Sequence, residues 1–206
     1  MTSPTSLFLV RHGEVEERYH RIFGGRIDMD LSPRGHDQVA MLAKYLRQRP
    51  LAAVYSSPMK RAQQTLAPLA SHAGSAPVLL DGLREVDFGD WTGLGWEEVR
   101  ERYGVGASEW LDLLDRTAIP NAEGVSLFRG RVEACVERMI QDHPGQSVAV
   151  VCHGGVVRMI LSILMGLPLA KMAVFEIDYA SVTHVDHFSN RIEVQLLNFT
   201  PWRDLP

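Results

Sequence analysis

Leu9-Val10-Arg11-His12-Gly13 and Val150-Val151-Cys152-His153-Gly154 share one local plan, an apolar run that ends at once in His-Gly. A short, continuously apolar run is the pattern of a strand buried on both faces of a parallel sheet. Ligands of such sheets sit beyond the carboxyl ends of the strands, so both imidazoles are expected to project into one crevice. The following glycines would let backbone approach a ligand closely, and the helix opened by Gly154 and Gly155 would aim free N–H groups at an anion. Taken singly, a histidine after a strand is a structural or exposed residue. The repeated context is what points to a site.

Around these two stretches the chain alternates strand and helix patterns. After Leu7 to Val10, Ser32 and Pro33 read as an N-cap and first helical position, with Val39, Leu42, Ala43 and Leu46 on one face. Ala53 to Tyr55 reads as a second buried strand, Ser57 and Pro58 as the next cap, and Ala62, Leu66, Leu69 and Ala70 as the buried face of its helix. Residues 77–80 make a short third strand. Residues 96–116 are amphipathic but punctuated by Gly104 and Gly106, which predicts two short helices, and residues 96–121 read as a peripheral helical insertion. Phe128, Val132, Cys135, Val136, Met139 and Ile140 keep helical spacing up to Pro144 and Gly145, and residues 182–188 and 192–196 resemble a hairpin through Ser189 and Asn190. No repeat or linker interrupts the pattern. The expected fold class is α/β: a single three-layer domain over residues 1–206, with a mainly parallel central sheet, helices on both faces, and residues 1–6 flexible.

The 206 residues, 46% hydrophobic and 22% charged, suffice for a full core. A net charge of -4 argues against a general nucleic-acid or membrane-surface role, which needs a basic excess, so any anion must be bound by a local cluster. Cys135 and Cys152 are too few and too isolated for a disulfide framework, which suits a reducing cytoplasm. Met1 to Ser6 lacks the basic and apolar regions of a signal peptide. The most apolar stretch, residues 156–167, is interrupted by Arg158 and is shorter than the roughly 20 residues of a membrane span.

Two arginines complete the candidate anion site. Arg11 precedes the first histidine, and Arg61 falls in the first turn of the helix after the second strand. A guanidinium matches phosphate oxygens bidentately and stays charged. Glu85 lies among apolar and glycine residues in Leu83-Arg84-Glu85-Val86-Asp87-Phe88-Gly89. Arg11-His12-Gly13-Glu14, Ser56-Ser57-Pro58 with Arg61-Ala62, Leu83-Arg84-Glu85 with Phe88-Gly89-Asp90-Trp91-Thr92-Gly93, and Cys152-His153-Gly154 resemble, in order, the motifs of the histidine phosphatase superfamily. That superfamily includes phosphoglycerate mutase-like phosphatases, alpha-ribazole phosphatases and fructose-2,6-bisphosphatases. The resemblance, which covers about residues 7–198, implies that His12 is phosphorylated, Glu85 is the proton donor, and Arg11, Arg61 and His153 hold the phosphoryl group of a small-molecule phosphate ester. It implies no cofactor, and it is compatible with a homodimer.

The chain departs from common family patterns at Arg18 and Tyr179, where many members carry Asn, at Phe23, where many carry Gln, and at Gly124-Val125-Ser126 in place of Gly-Glu-Ser. Arg18, Arg21, Gly24 and Gly154 are the candidate substrate-contacting positions. Arg18, Arg21 and Arg26 offer a second anion site, with a solvated basic loop as the alternative. No metal site is expected. His184 and His187, three apart in a strand, face opposite sides, and His20, His36, His72 and His143 are scattered. The segment after the Glu85 motif is shorter than the insertion of phosphoglycerate mutases, which favours hydrolysis over mutase transfer. A catalytically weak regulatory binding protein of the same fold is the rival from another class.

Overall fold

The computed structural model describes residues 3–70, 76–106 and 109–205. Its one mixed sheet runs in the order β3-β2-β4-β1-β5-β6. The strands are β1 (Thr5–Arg11), β2 (Leu51–Ser56), β3 (Val78–Leu79), β4 (Ser147–Cys152), β5 (Val182–His187) and β6 (Ile192–Phe199). β1 pairs parallel with β4, β4 with β2 and β2 with β3, whereas β5 runs antiparallel to both β1 and β6. Because β4 lies between β1 and β2, chain connections leave the middle of the sheet in opposite directions. That is the switch point at which α/β sheets open a crevice.

The two His-Gly strands are therefore neighbours, in a register that sets Arg11 opposite Cys152. Alternation along β1 sends Leu7 and Leu9 to one face and Phe8 and Val10 to the other, and each face has its own apolar cluster. On one side Leu42, Leu46, Ala62 and Leu66, from α1 (Pro33–Leu46) and α2 (Lys60–Leu66), cover Phe8, Val10, Val54 and Val151. On the other, Phe128 and Val132 of α5 (Val125–Asp142) and Val156 and Ile160 of α6 (Gly154–Met165) cover Leu7, Leu9, Val148 and Val150. Burial on both faces is why these strands read as unbroken apolar runs. Among the described residues, no helix is long and apolar enough to cross a membrane.

Several boundaries differ from the sequence reading. β1 begins at Thr5, where the Thr5 hydroxyl donates to His143 O (3.0 Å) and that of Ser6 to Asp186 Oδ1 (2.5 Å), so residues 5 and 6 are structured. Ser32 caps α1 as expected, accepting from Gly35 N at 2.9 Å. Ser57 and Pro58 do not cap α2, which starts at Lys60 after Met59. The Ser57 hydroxyl is instead buried against His153. The insertion forms α3 (Trp96–Tyr103), ended by left-handed Gly104 (φ 71°), and α4 (Trp110–Asp115). It is not purely peripheral, because Trp110 and Leu111 of α4 wall the central cavity.

Candidate active site

The cavity, of about 660 Å³, opens at the carboxyl ends of β1 and β4. Arg11, His12, Arg61, Glu85 and Gly154 all line it, and His153 lies just beneath. The histidines are not exposed strand-end residues: His12 is 5% accessible and His153 0%. Their ring centroids are 5.3 Å apart.

Hydrogen bonds assign the protons. His12 Nδ1 lies 2.8 Å from Gly13 O, and a carbonyl can only accept, so Nδ1 carries the hydrogen and Nε2 keeps its lone pair. Arg61 Nε donates to that Nε2 and to His153 Nδ1, both at 3.2 Å. His153 therefore bears its hydrogen on Nε2 and donates to Ser57 Oγ at 2.8 Å. Burial, with repulsion from Arg61 and Arg11, holds both imidazoles well below their ordinary pKa. A neutral imidazole with a free Nε2 is a competent nucleophile.

Arg61 is 2% accessible, and its terminal nitrogens donate to Ile27 O (2.7 Å) and Gly25 O (3.0 Å). Burial lowers its pKa to about 10, which leaves it charged at neutral pH. Arg11 donates to Ile177 O at 2.5 Å and stacks 3.9 Å from the Tyr179 ring centroid, while its buried Nε has no partner. Glu85 sits on an irregular stretch, where its carboxylate accepts from Val86 N (3.1 Å) and Gly155 N (3.2 Å).

Gly13, Gly155 and Gly24 have more local tasks than ligand approach. A Cβ on Gly13 would lie 2.8 Å from both Gly35 O and Val39 Cγ2 of α1, so Gly13 lets that helix pack close. On Gly155 it would lie 2.5 Å from Glu85 Oε1, so Gly155 makes room for the carboxylate, and its N–H is directed at Glu85. Gly24 lines the cavity, but its bare Cα accommodates Met29. Gly154 alone stands beside two guanidiniums, those of Arg158 and Arg11, at 3.4 and 3.6 Å from its Cβ position.

The loop arginines separate. Arg21 lies on the cavity wall with positive φ (57°), paired with Glu97 at 3.4 Å and 5.3 Å from the Trp96 ring. Arg18 is turned outward to Glu16 (2.7 Å) and Tyr19 and does not line the cavity, and Arg26 faces Glu123 (3.5 Å). The sequence reading missed Arg158, which lines the cavity with a buried, partnerless Nε and a bond from Nη2 to Phe175 O (2.9 Å). Its signal was a lone charge one turn after Gly154 in an otherwise apolar helix. Tyr179 and Trp110 also form the wall. Of the scattered histidines, His72 lies outside the described residues, and His143 contacts the Tyr55 hydroxyl at 2.9 Å, away from the cavity. Among the described residues, no three His, Cys, Asp or Glu side chains gather as a metal site would need.

Known proteins resemble this chain in sequence and in fold. Residues 7–200 match the model of the histidine phosphatase superfamily, branch 1. Phosphoserine phosphatase 1 of Hydrogenobacter thermophilus is 32% identical over 194 residues, covering 94% of this chain and 92% of that protein. The adenosylcobalamin/alpha-ribazole phosphatase of Escherichia coli is 27% identical over 192 residues, covering 93% and 95%. The crystal structure of the alpha-ribazole phosphatase from Shigella flexneri superposes with a TM-score of 0.80 at 26% identity, over 94% of this chain and 96% of that one. A family match across nearly the whole chain, and a cavity that gathers the two His-Gly strand ends with Arg11, Arg61 and Glu85, agree that this chain belongs to the histidine phosphatase superfamily.

Proposed function

We propose that the protein hydrolyses a small-molecule phosphate monoester through a phosphohistidine, without a metal ion. The observation that carries this reading is His12 Nε2, unprotonated and facing the Arg61 guanidinium at 3.2 Å in a buried site. In the first step His12 Nε2 forms a bond to phosphorus as the P–O bond to the leaving group breaks. Arg61 Nε turns its N–H from the His12 imidazole to a phosphoryl oxygen, Arg11 shares the remaining charge, neutral His153 orients the Arg61 guanidinium through Nδ1, and Glu85 passes a proton to the departing oxygen. In the second step water, losing its proton to the same carboxylate, attacks phosphorus and releases His12 and inorganic phosphate.

The names of the relatives, phosphoserine and alpha-ribazole phosphatases, support a phosphatase acting on metabolite-sized esters. The 660 Å³ cavity admits such molecules, and the free Nε of Arg158 favours leaving groups that carry a second anionic group. The short segment after the Glu85 motif, of which Trp110 and Leu111 line the cavity, favours release to water over return transfer. Retention of every group that the chemistry needs argues against a binding protein without turnover. Two free, buried cysteines support a cytoplasmic setting.

Rapid mixing with para-nitrophenyl phosphate tests the route. Nitrophenolate release should show a burst that approaches one equivalent per enzyme when dephosphorylation is slow, and acid-labile, base-stable phosphate should be trapped on His12. Chelator should leave the rate unchanged. Turnover by a His12→Asn protein at the wild-type rate, or a chelator loss restored by metal, would overturn the mechanism.

A further inference from the structure

Glu85 is carried by neither a helix nor a strand, yet a proton donor must be held to within a fraction of an ångström. Its side chain is fixed from the α6 side by Gly155 N. Its backbone is held by one residue of α5. Arg131 Nη1 donates to Gly82 O (2.7 Å) and Arg84 O (2.6 Å), and Nη2 donates to Glu85 O (3.2 Å). The remaining donors grip Glu123 as a fork, Nε to Oε1 at 2.6 Å and Nη2 to Oε2 at 2.7 Å. A guanidinium has five N–H groups, and these contacts use all of them inside the protein, so none is left for a substrate.

Glu123 extends the clamp to the other end of the turn. Its carboxylate accepts from Asp87 N at 3.4 Å, its own N–H donates to Asp87 O at 2.9 Å, and Arg26 approaches at 3.5 Å. Burial works to raise the Glu123 carboxyl, but the hydrogen bonds and charge of Arg131, with Asp87 N–H and Arg26, outweigh it and hold the group below its ordinary range. It therefore stays ionised. The turn also sits flush on α5, since a Cβ at Gly82 would lie 2.6 Å from Arg131 O and 2.5 Å from Cys135 Sγ.

We infer that Arg131, braced by Glu123, is a positioning residue that sets the carboxyl of Glu85 against the leaving-group oxygen. The inference rests on the proposed role of Glu85 as proton donor. Lysine has the charge but three donors on one nitrogen, and cannot bind a carboxylate fork and three carbonyls together.

The test measures single-turnover leaving-group release for an alkyl phosphate and for para-nitrophenyl phosphate, whose leaving group needs little protonation. Arg131→Lys should slow the alkyl substrate by about 10- to 10²-fold, the cost of a misplaced catalytic group, and the nitrophenyl substrate by no more than about threefold. In a Glu85→Gln background the same substitution should add less than about threefold on the alkyl substrate, because two changes on one pathway are not additive. Equal losses on both substrates, or full additivity in the double variant, would show a merely structural role and overturn the inference. Failure of the proton-donor reading is separate, because Glu85→Gln alone would then lose equally on both substrates. Glu123→Gln, which conserves shape and one acceptor oxygen, should reproduce the substrate-selective loss in weaker form. It decides the question if Arg131→Lys does not fold.

Discussion

Arg61 Nε faces His12 Nε2 across 3.2 Å, and that nitrogen is the one left unprotonated by the bond of Nδ1 to Gly13 O. The proposed nucleophile and a cation able to neutralise the transferring group are thus in contact before any ester enters. Little rearrangement remains for the reaction itself, which is the condition under which fixed charges contribute most to catalysis.

Replacing His12 by Asn should remove this pair. Turnover is expected to fall below about 1% of wild type, as for loss of other nucleophiles, with no phosphoenzyme trapped. Since His12 is buried, the change should also cost about 1–2 kcal/mol in denaturant unfolding, through the lost Gly13 and Arg61 contacts. Residual activity of tens of per cent would exclude His12 as the nucleophile.

Stability should fall on mild acidification. Burial first, then the neighbouring guanidiniums, depress the pKa of His12 and His153 in the folded state, whereas in the unfolded chain both titrate near about 6.5. Below that pH the unfolded state binds more protons, so unfolding free energy decreases as pH falls, by up to about 1.4 kcal/mol per pH unit for each histidine. Urea midpoints measured between pH 7.5 and about 5 should decline, and His153→Gln should make the decline shallower. An unchanged slope in that variant would contradict the assignment of His153 as a buried neutral imidazole.

Arg158 and Arg18 should differ in their effect on substrate choice. Arg158 has a buried Nε without a partner on the cavity wall, while Arg18 is engaged with Glu16 at the surface. Arg158→Gln is expected to raise KM for a carboxylate-bearing phosphate ester by about 10-fold or more, the worth of one charge-assisted hydrogen bond, and to leave a neutral alkyl phosphate nearly unaffected. Arg18→Ala should change neither. The opposite pattern would return the second anion to the loop.

Gly155→Ala offers a geometric check on Glu85. Alanine is favoured over glycine in helices by about 1 kcal/mol, so on helix propensity alone the change would stabilise the protein. Here the new Cβ would meet Glu85 Oε1 at 2.5 Å and Trp110 Cη2 at 3.3 Å, so the carboxylate must move. We expect alkyl phosphate hydrolysis to drop by about 10- to 10²-fold with little gain in thermal midpoint. Wild-type rates would mean that the position of Glu85 is not critical.

Much of this molecule was legible from residue order alone. The unbroken apolar runs before His12 and His153 specify strands buried on both faces, and two such strands in one sheet bring their carboxyl ends to one crevice. From that followed the α/β fold and the meeting of His12 and His153 at one crevice, whereas Arg61 and Glu85 were added to it only through the resemblance of their motifs to those of the family. Periodicity works here because burial on a face is a local, repeating property that each strand and helix writes into its own sequence.

Partner choice is not such a property, and it was decided only by the tertiary structure. Ser57 reads as a helix cap, but β4 brings His153 to it across 96 residues and claims the hydroxyl. Arg18 and Arg21 are three positions apart on one loop, yet the left-handed backbone at Arg21 and the nearby Glu16 send them to different sides. Arg131 reads as one polar position on an amphipathic helix, and nothing near it in sequence announces a turn 46 to 49 residues away whose carbonyls it binds. A hydrogen bond depends on where two distant side chains converge, and that convergence is a product of packing the layers together.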